Sequence, residues 1–131
     1  MDTKLKERIL VIVNPNSTYF NESIIDNLKI ALKNKYYLIK YTYDLDQYNK
    51  QLNRLVNYES LLVVGGDGTI FHAVQFILNN NINIYIGHIP TGSGNGLTKS
   101  LLNSKNIDFN ANNAISNLLP LEKNNLDIKE V

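Results

Sequence analysis

The sequence predicts an α/β fold, Rossmann-like, with a mostly parallel sheet held between two layers of helices. Three observations predict it. Short apolar runs of the kind covered on both faces, Ile9 to Val13 and Leu61 to Val64, are bounded by turn residues. Stretches with apolar residues at helical spacing alternate with such runs, as right-handed parallel βαβ units require. The polar loops at Asn14, Gly65 and Thr91 each follow a strand, so they fall on the carboxyl edge of the sheet, where such folds bind ligands. The strand order does not follow from the sequence.

In chain order, Ile9 to Val13 is the first strand, and Asn14-Pro15-Asn16-Ser17-Thr18 punctuates its exit. Ile24, Ile25, Leu28, Ala31 and Leu32 lie at helical spacing and predict a helix over about Asn21 to Lys33. Tyr36 to Tyr41 is aromatic and β-branched enough for a second strand. A second helix runs from Leu45 to Val56 through Leu52 and Leu55. After the third strand, Leu61 to Val64, residues Ile70, Phe71, Val74, Ile77 and Leu78 form the buried face of a third helix. Ile82 to Ile89 is the fourth strand and delivers Pro90 to Gly96 at its end. Leu97, Leu101 and Leu102 then read as a short helix, Ala114, Ile115 and Leu118 as another, and Leu126 to Val131 as the start of a further strand.

Composition narrows the function. A chain of 131 residues is one domain's worth, with a real core. Its 13 basic and 12 acidic residues leave a net charge of +1, which excludes a bulk field for nucleic acid, so any phosphate affinity is local. The absence of cysteine excludes disulfides, thiolate metal sites and thiol nucleophiles. The polar start and the shortness of the first apolar run point away from a signal or spanning segment, and the expected location is cytoplasmic.

The chemistry concentrates in L-L-V-V-G-G-D-G-T-I-F-H, Leu61 to His72. Gly65, Gly66 and Gly68 remove β-carbons where the backbone turns sharply or a ligand approaches closely. Thr69 is expected to cap the following helix, whose first N–H groups and positive dipole end suit an anion. Asp67 would meet a metal ion or a hydroxyl but repel a bare phosphate; a Mg²⁺-bound nucleotide removes that conflict. His72 and His88 read as a helix-surface and a strand-neighbour histidine, because no third group accompanies either. Tyr36, Tyr37, Tyr41 and Tyr43 pack on the sheet or rim it.

Taken together, N14-P-N-S17, G65-G-D-G-T69 and I89-P-T-G-S-G-N-G96, in this order and spacing, resemble the catalytic domain of the diacylglycerol kinase and sphingosine kinase family, related to NAD kinases. The last loop is the discriminating one, because NAD kinases carry a different sequence there. The resemblance spans about Arg8 to Leu102. It implies an NAD kinase/diacylglycerol kinase-like three-layer α/β/α domain and ATP-dependent, Mg²⁺-assisted transfer of a phosphoryl group to a lipid hydroxyl. It implies that Asn14, Ser17 and Thr42 lie near the nucleotide, and that Gly65, Gly66, Gly68 and Thr69 hold its phosphates. Gly92, Ser93, Gly94 and Asn95 would close the pocket from the other side. Asp67 would be the catalytic carboxylate, binding Mg²⁺ through water or orienting the acceptor hydroxyl.

The chain departs from the family pattern at Thr18-Tyr19-Phe20, where glycine and a basic residue are usual, at His72, where glutamate is usual, and at Gln75-Phe76, in place of Asn-Gly. By the same resemblance residues 1–125 form the nucleotide domain, and 126–131, with Leu126-Asp127-Ile128, begin a C-terminal β-sandwich that completes the lipid pocket. The partners implied are a lipid with a free hydroxyl (diacylglycerol or a sphingoid base), that second domain, transient membrane contact and self-association. Two other functions fit the same turn: NAD kinase-like chemistry, and nucleotide binding without turnover.

Overall fold

The computed structural model describes residues 8–93 and 119–121. Element order is β1 (Arg8–Val13), α1 (Glu22–Ala31), β2 (Tyr36–Tyr41), α2 (Leu45–Leu52), a 3-10 turn (Leu55–Asn57), β3 (Ser60–Gly65), α3 (Asp67–Asn79), β4 (Ile84–Pro90) and β5 (Leu119–Leu121). The sheet order is β2-β1-β3-β4-β5. β1 pairs parallel with β2 and β3, and β3 with β4, whereas β5 runs antiparallel to β4. The expected α/β fold with a mostly parallel sheet is therefore the fold observed.

The apolar runs are strands because both of their faces are covered. On one face Leu10, Ile12, Leu61, Val63, Ile84 and Ile86 pack with Tyr48 and Leu52 of α2, Leu55, and Ile70, Ala73, Val74 and Ile77 of α3. On the other, Ile9, Val11, Val13, Leu62, Val64 and Ile89 pack with Ile25, Leu28 and Leu32 from the α1 segment. Consecutive strand residues thus alternate between two cores, and no residue from Ile9 to Val13 or Leu61 to Val64 is more than 1% exposed.

Side chains set the helix limits. Asn21 caps α1 by accepting from the Ser23 amide. Asp44 caps α2 by accepting from the Gln47 amide at 2.8 Å, while Gln47 Oε1 accepts from the Tyr43 amide at 2.8 Å. α3 ends in a Schellman pattern, with Asn81 N–H donating to the Leu78 carbonyl and Ile82 N–H to the Ile77 carbonyl. That geometry puts Asn81 at φ 54°, a left-handed backbone that asparagine tolerates.

Some expectations shift. The second helix stops at Leu52, not Val56; Leu55 is buried on the 3-10 turn and Val56 is 75% exposed, because the chain tightens after Asn53. The third helix starts at Asp67, with Gly66 as its cap, so Thr69 lies within its first turn and is not its cap. Its buried face uses Ala73 in addition to Ile70, Val74, Ile77 and Leu78, and Phe71 is only half-buried. The fourth strand starts at Ile84, since Asn81 and Ile82 complete the preceding cap. β5 has no counterpart in the sequence reading, which is physically reasonable for a three-residue strand, Leu-Pro-Leu, with proline at its centre. The helices expected near 97–102 and 114–118 and the strand expected from 126 lie outside the described residues.

Candidate functional site

The chain leaves β1 outward to β2 and then returns past β1 to β3, so the carboxyl ends of β1 and β3 flank the point where the winding reverses. Such a reversal opens a crevice, because the two connections leave the edge in opposite directions. Asn14 stands in it. Its N–H donates to the Val64 carbonyl at 2.8 Å, and its Nδ2 donates to Thr69 Oγ1 at 3.3 Å. Asn14 Oδ1 accepts from the Asn16 amide at 3.0 Å, which curls the first loop back on itself.

The third loop is tied to the first. Ser17 Oγ donates to the Asn14 carbonyl at 2.8 Å and lies 2.6 Å from Thr91 Oγ1. The serine proton being used at Asn14, the Thr91 hydroxyl donates to Ser17. The Tyr19 amide donates to the Thr91 carbonyl at 2.7 Å, and the Thr91 amide donates to the Gly65 carbonyl at 3.0 Å. Thr91 is 1% exposed, so these bonds are sheltered from water. The three loops therefore form one bonded rim.

The glycines of the turn serve different ends. A β-carbon on Gly65 would sit 2.8 to 2.9 Å from three side-chain atoms of Thr69, and one on Gly66 would sit 3.2 Å from Gly92 Cα. Gly65 thus lets α3 start directly against β3, and Gly66 lets the second and third loops touch. A β-carbon on Gly68 would meet nothing within 4 Å. Packing does not require glycine at 68; the space in front of it is open. α3 begins without a side-chain cap, so the first-turn amides carry the positive end of a 13-residue helix toward that space.

That space is a cavity of about 340 Å³ lined by Asn14, Thr42, Tyr43, Asp44, Leu45, Tyr48, Gly68, Thr69 and His72. α2 forms its far wall and grips the first turn of α3. Tyr48 Oη donates to the Thr69 carbonyl at 2.5 Å, and His72 Nε2 lies 2.7 Å from Asn49 Oδ1. The oxygen can only accept, so Nε2 carries the proton. The His72 ring is tilted against Tyr48 with centroids 5.2 Å apart. Burial pushes the Tyr48 phenol up, keeping it a neutral donor. Thr42 is buried, its amide donating to the Val13 carbonyl at 2.8 Å, which fixes the exit of β2 beside that of β1.

Of the residues singled out in the sequence, Asn14, Thr42, Gly68 and Thr69 line the cavity. Ser17, Gly65, Gly66 and Gly92 lie in the bonded rim beside it, and Asp67 is the first residue of α3 and is not among the residues that line the cavity. Ser93 is exposed at the end of the described segment, and Gly94 and Asn95 lie outside the described residues. Tyr43, Asp44, Leu45, Tyr48 and His72 were not expected at the site. His72 is not a surface histidine; it is half-buried in the cavity wall. The available signal was the Asp44 capping pattern directly after Thr42, which starts a helix at the sheet's ligand-binding edge. Among the described residues no three His, Asp or Glu come together as a metal cage, and no helix is long and apolar enough to cross a membrane.

The chain is similar to known proteins in sequence and in fold. Residues 8–131 match the diacylglycerol kinase catalytic domain. Sphingosine kinase 2 of Arabidopsis thaliana is 26% identical over 137 residues, covering 95% of this chain and 28% of its own length. Sphingosine kinase 1 of the same plant is 30% identical over 79 residues, 56% of this chain and 16% of its own. A solved diacylglycerol kinase from Bacillus anthracis str. Sterne superposes with a TM-score of 0.67 at 25% identity, covering 85% of this chain and 40% of that one. The chain thus spans well under half the length of these relatives. With the domain match running through nearly all of its residues, the chain belongs to the diacylglycerol kinase catalytic-domain family.

Proposed function

We propose that this domain binds Mg²⁺-ATP at the rim and cavity above β1 and β3, and that the protein it serves transfers the γ-phosphate to a lipid hydroxyl. The observation that carries the reading is the joining of the three loops into one rim, with Ser17 on Thr91, Asn14 on Thr69 and Gly66 on Gly92, at the mouth of an open cavity. The amides of the first turn of α3 and the Thr69 hydroxyl would hold phosphate oxygens. Asn14, Thr42 and Asp44, with Tyr43 and Tyr48, would hold the nucleoside end.

The donor set fits a metal that arrives on the nucleotide. Mg²⁺ takes one or two carboxylates together with substrate phosphates, and needs no cage made wholly of protein. Asp67 is the residue that would reach it, directly or through water. When bound, the ion neutralises charge on the phosphate oxygens. The chain's own part is positioning: the rim fixes the phosphates, and Asp67 either holds the metal or takes the proton of the acceptor hydroxyl as its oxygen bonds to phosphorus and the bond to ADP breaks. The acceptor would be a diacylglycerol or a sphingoid base, completed by a C-terminal domain, with transient membrane contact and self-association as expected partners.

Calorimetric titration with Mg²⁺-ATP tests the reading. Saturable binding is expected, weakened by Asp67→Asn and by Thr69→Val. No heat at millimolar nucleotide would overturn it. An assay of the protein with its C-terminal domain present, offering NAD beside a diacylglycerol and a sphingoid base, should label lipid and leave NAD untouched.

A further inference from the structure

One buried polar group is unexplained by packing. β4 presents Ile84, Ile86 and His88 to the same face of the sheet, where the first two join the core against α2 and α3. His88 is 6% exposed, opposite Val63 in the register. Its Nε2 lies 2.7 Å from the Gly65 carbonyl. A carbonyl can only accept, so the ring holds its proton on Nε2. Burial pushes the imidazole down to about 4, against smaller raising effects of the Gly65 bond and the Asp67 charge, so the ring is a neutral donor at neutral pH.

Gly65 and Gly66 flank a single peptide, and neither carries a side chain to restrict the torsions on either side of it. This is the loop's most easily rotated peptide, and its two polar groups are linked. In a trans peptide the carbonyl of one residue and the N–H of the next lie in one plane and point opposite ways. There are no cis peptides among the described residues. Two donors on the Gly65 oxygen, His88 Nε2 at 2.7 Å and the Thr91 amide at 3.0 Å, come from the same strand and its exit. One donor alone leaves the plane free to turn about it; two fix the plane.

We infer that His88 is a positioning residue for the phosphate-holding turn: by pinning the Gly65 carbonyl inward it fixes the direction of the Gly66 N–H. The inference rests on the nucleotide reading above, and it adds a residue that touches no substrate. A buried histidine that merely satisfies its own polarity would be replaced by leucine without consequence for the turn, because the Gly65 oxygen keeps the Thr91 amide and is not left bare.

The test uses the 131-residue chain, labelled with ¹⁵N, and the variants His88→Leu, His88→Gln and His88→Asn. Glutamine carries an amide nitrogen at about the reach of Nε2; asparagine falls one bond short. The ligand-free Gly66 amide resonance is expected to move in His88→Leu and His88→Asn and to return in His88→Gln. The Kd for Mg²⁺-ATP should rise about two- to tenfold in the first two and recover in the third, with melting temperatures of all variants recorded beside it. An unmoved Gly66 resonance in His88→Leu overturns the inference, as does a wild-type Kd in that variant when the parent chain binds. A parent chain that binds no nucleotide, while Gly66 still moves in His88→Leu, overturns the nucleotide reading and upholds the hold of His88 on the peptide.

Discussion

His88 also gives the fold a pH dependence whose sign follows from its surroundings. In the folded chain the imidazole stays neutral down to about 4, whereas an unfolded chain protonates it near the ordinary 6.5. Between those values the unfolded state binds more protons, so stability falls as pH drops from about 6.5 toward 4 and is unaffected by this group above that window. The full effect is on the order of 3 kcal/mol. Urea midpoints measured across that range should fall for the parent chain and fall less for His88→Gln; parallel curves would contradict the burial of this ring. The sequence showed this residue as a histidine beside an apolar strand, but not its partner, which lies 23 positions away. The same holds for His72 and Tyr48, whose contacts cross from α2 to α3 and leave no trace in local periodicity. Asn14 and Thr69 were legible because motif spacing, unlike periodicity, encodes where separate loops meet.

At the scale of elements, two contacts decide how firmly α3 is held. Its first turn hangs from Tyr48, which is 6% exposed and donates to the Thr69 carbonyl. Tyr48→Phe keeps the ring in the core and removes the bond, so a loss of about 1 kcal/mol is expected in chemical denaturation. A variant as stable as the parent would mean that the Tyr48 bond adds nothing to the hold of α2 on α3. The far end of the helix is fixed by Asn81 at φ 54°. Asn81→Gly should leave the melting temperature equal or higher, and Asn81→Val should lower stability by about 1 to 2 kcal/mol, because a β-branched residue resists that backbone. The run of asparagines there has a structural reason at one position. Sequence periodicity located α1 and α3 because each lays a regular apolar stripe on the sheet. It overran α2, whose pattern continues through Leu55 although the backbone there tightens into a 3-10 turn. β5 was missed because three residues around a proline carry no periodic signal.

The whole molecule combines a sheet that cannot easily deform with an edge that can hold a ligand. β1 and β3 are buried on both faces and bonded to neighbours on both sides, and the loops they deliver inherit that rigidity. The sequence placed three polar loops at one edge, but the winding reversal between β1 and β3 and the order β2-β1-β3-β4-β5 needed the structure. If the rim holds Mg²⁺-ATP, binding must add stability by mass action, about 2.7 kcal/mol at a hundred times Kd. The fold then separates residues that packing requires from those that the ligand requires, and Gly68 belongs to the second kind. A methyl group there touches nothing in the protein, on a residue that lines the cavity, and alanine favours a helix over glycine by about 1 kcal/mol. The decisive measurement is therefore the melting temperature of Gly68→Ala with and without saturating Mg²⁺-ATP. An equal or higher melting temperature without nucleotide, together with loss of most of the nucleotide-induced rise, is the predicted result. A variant that melts higher and still gains the full rise from nucleotide would contradict a phosphate site in front of this turn.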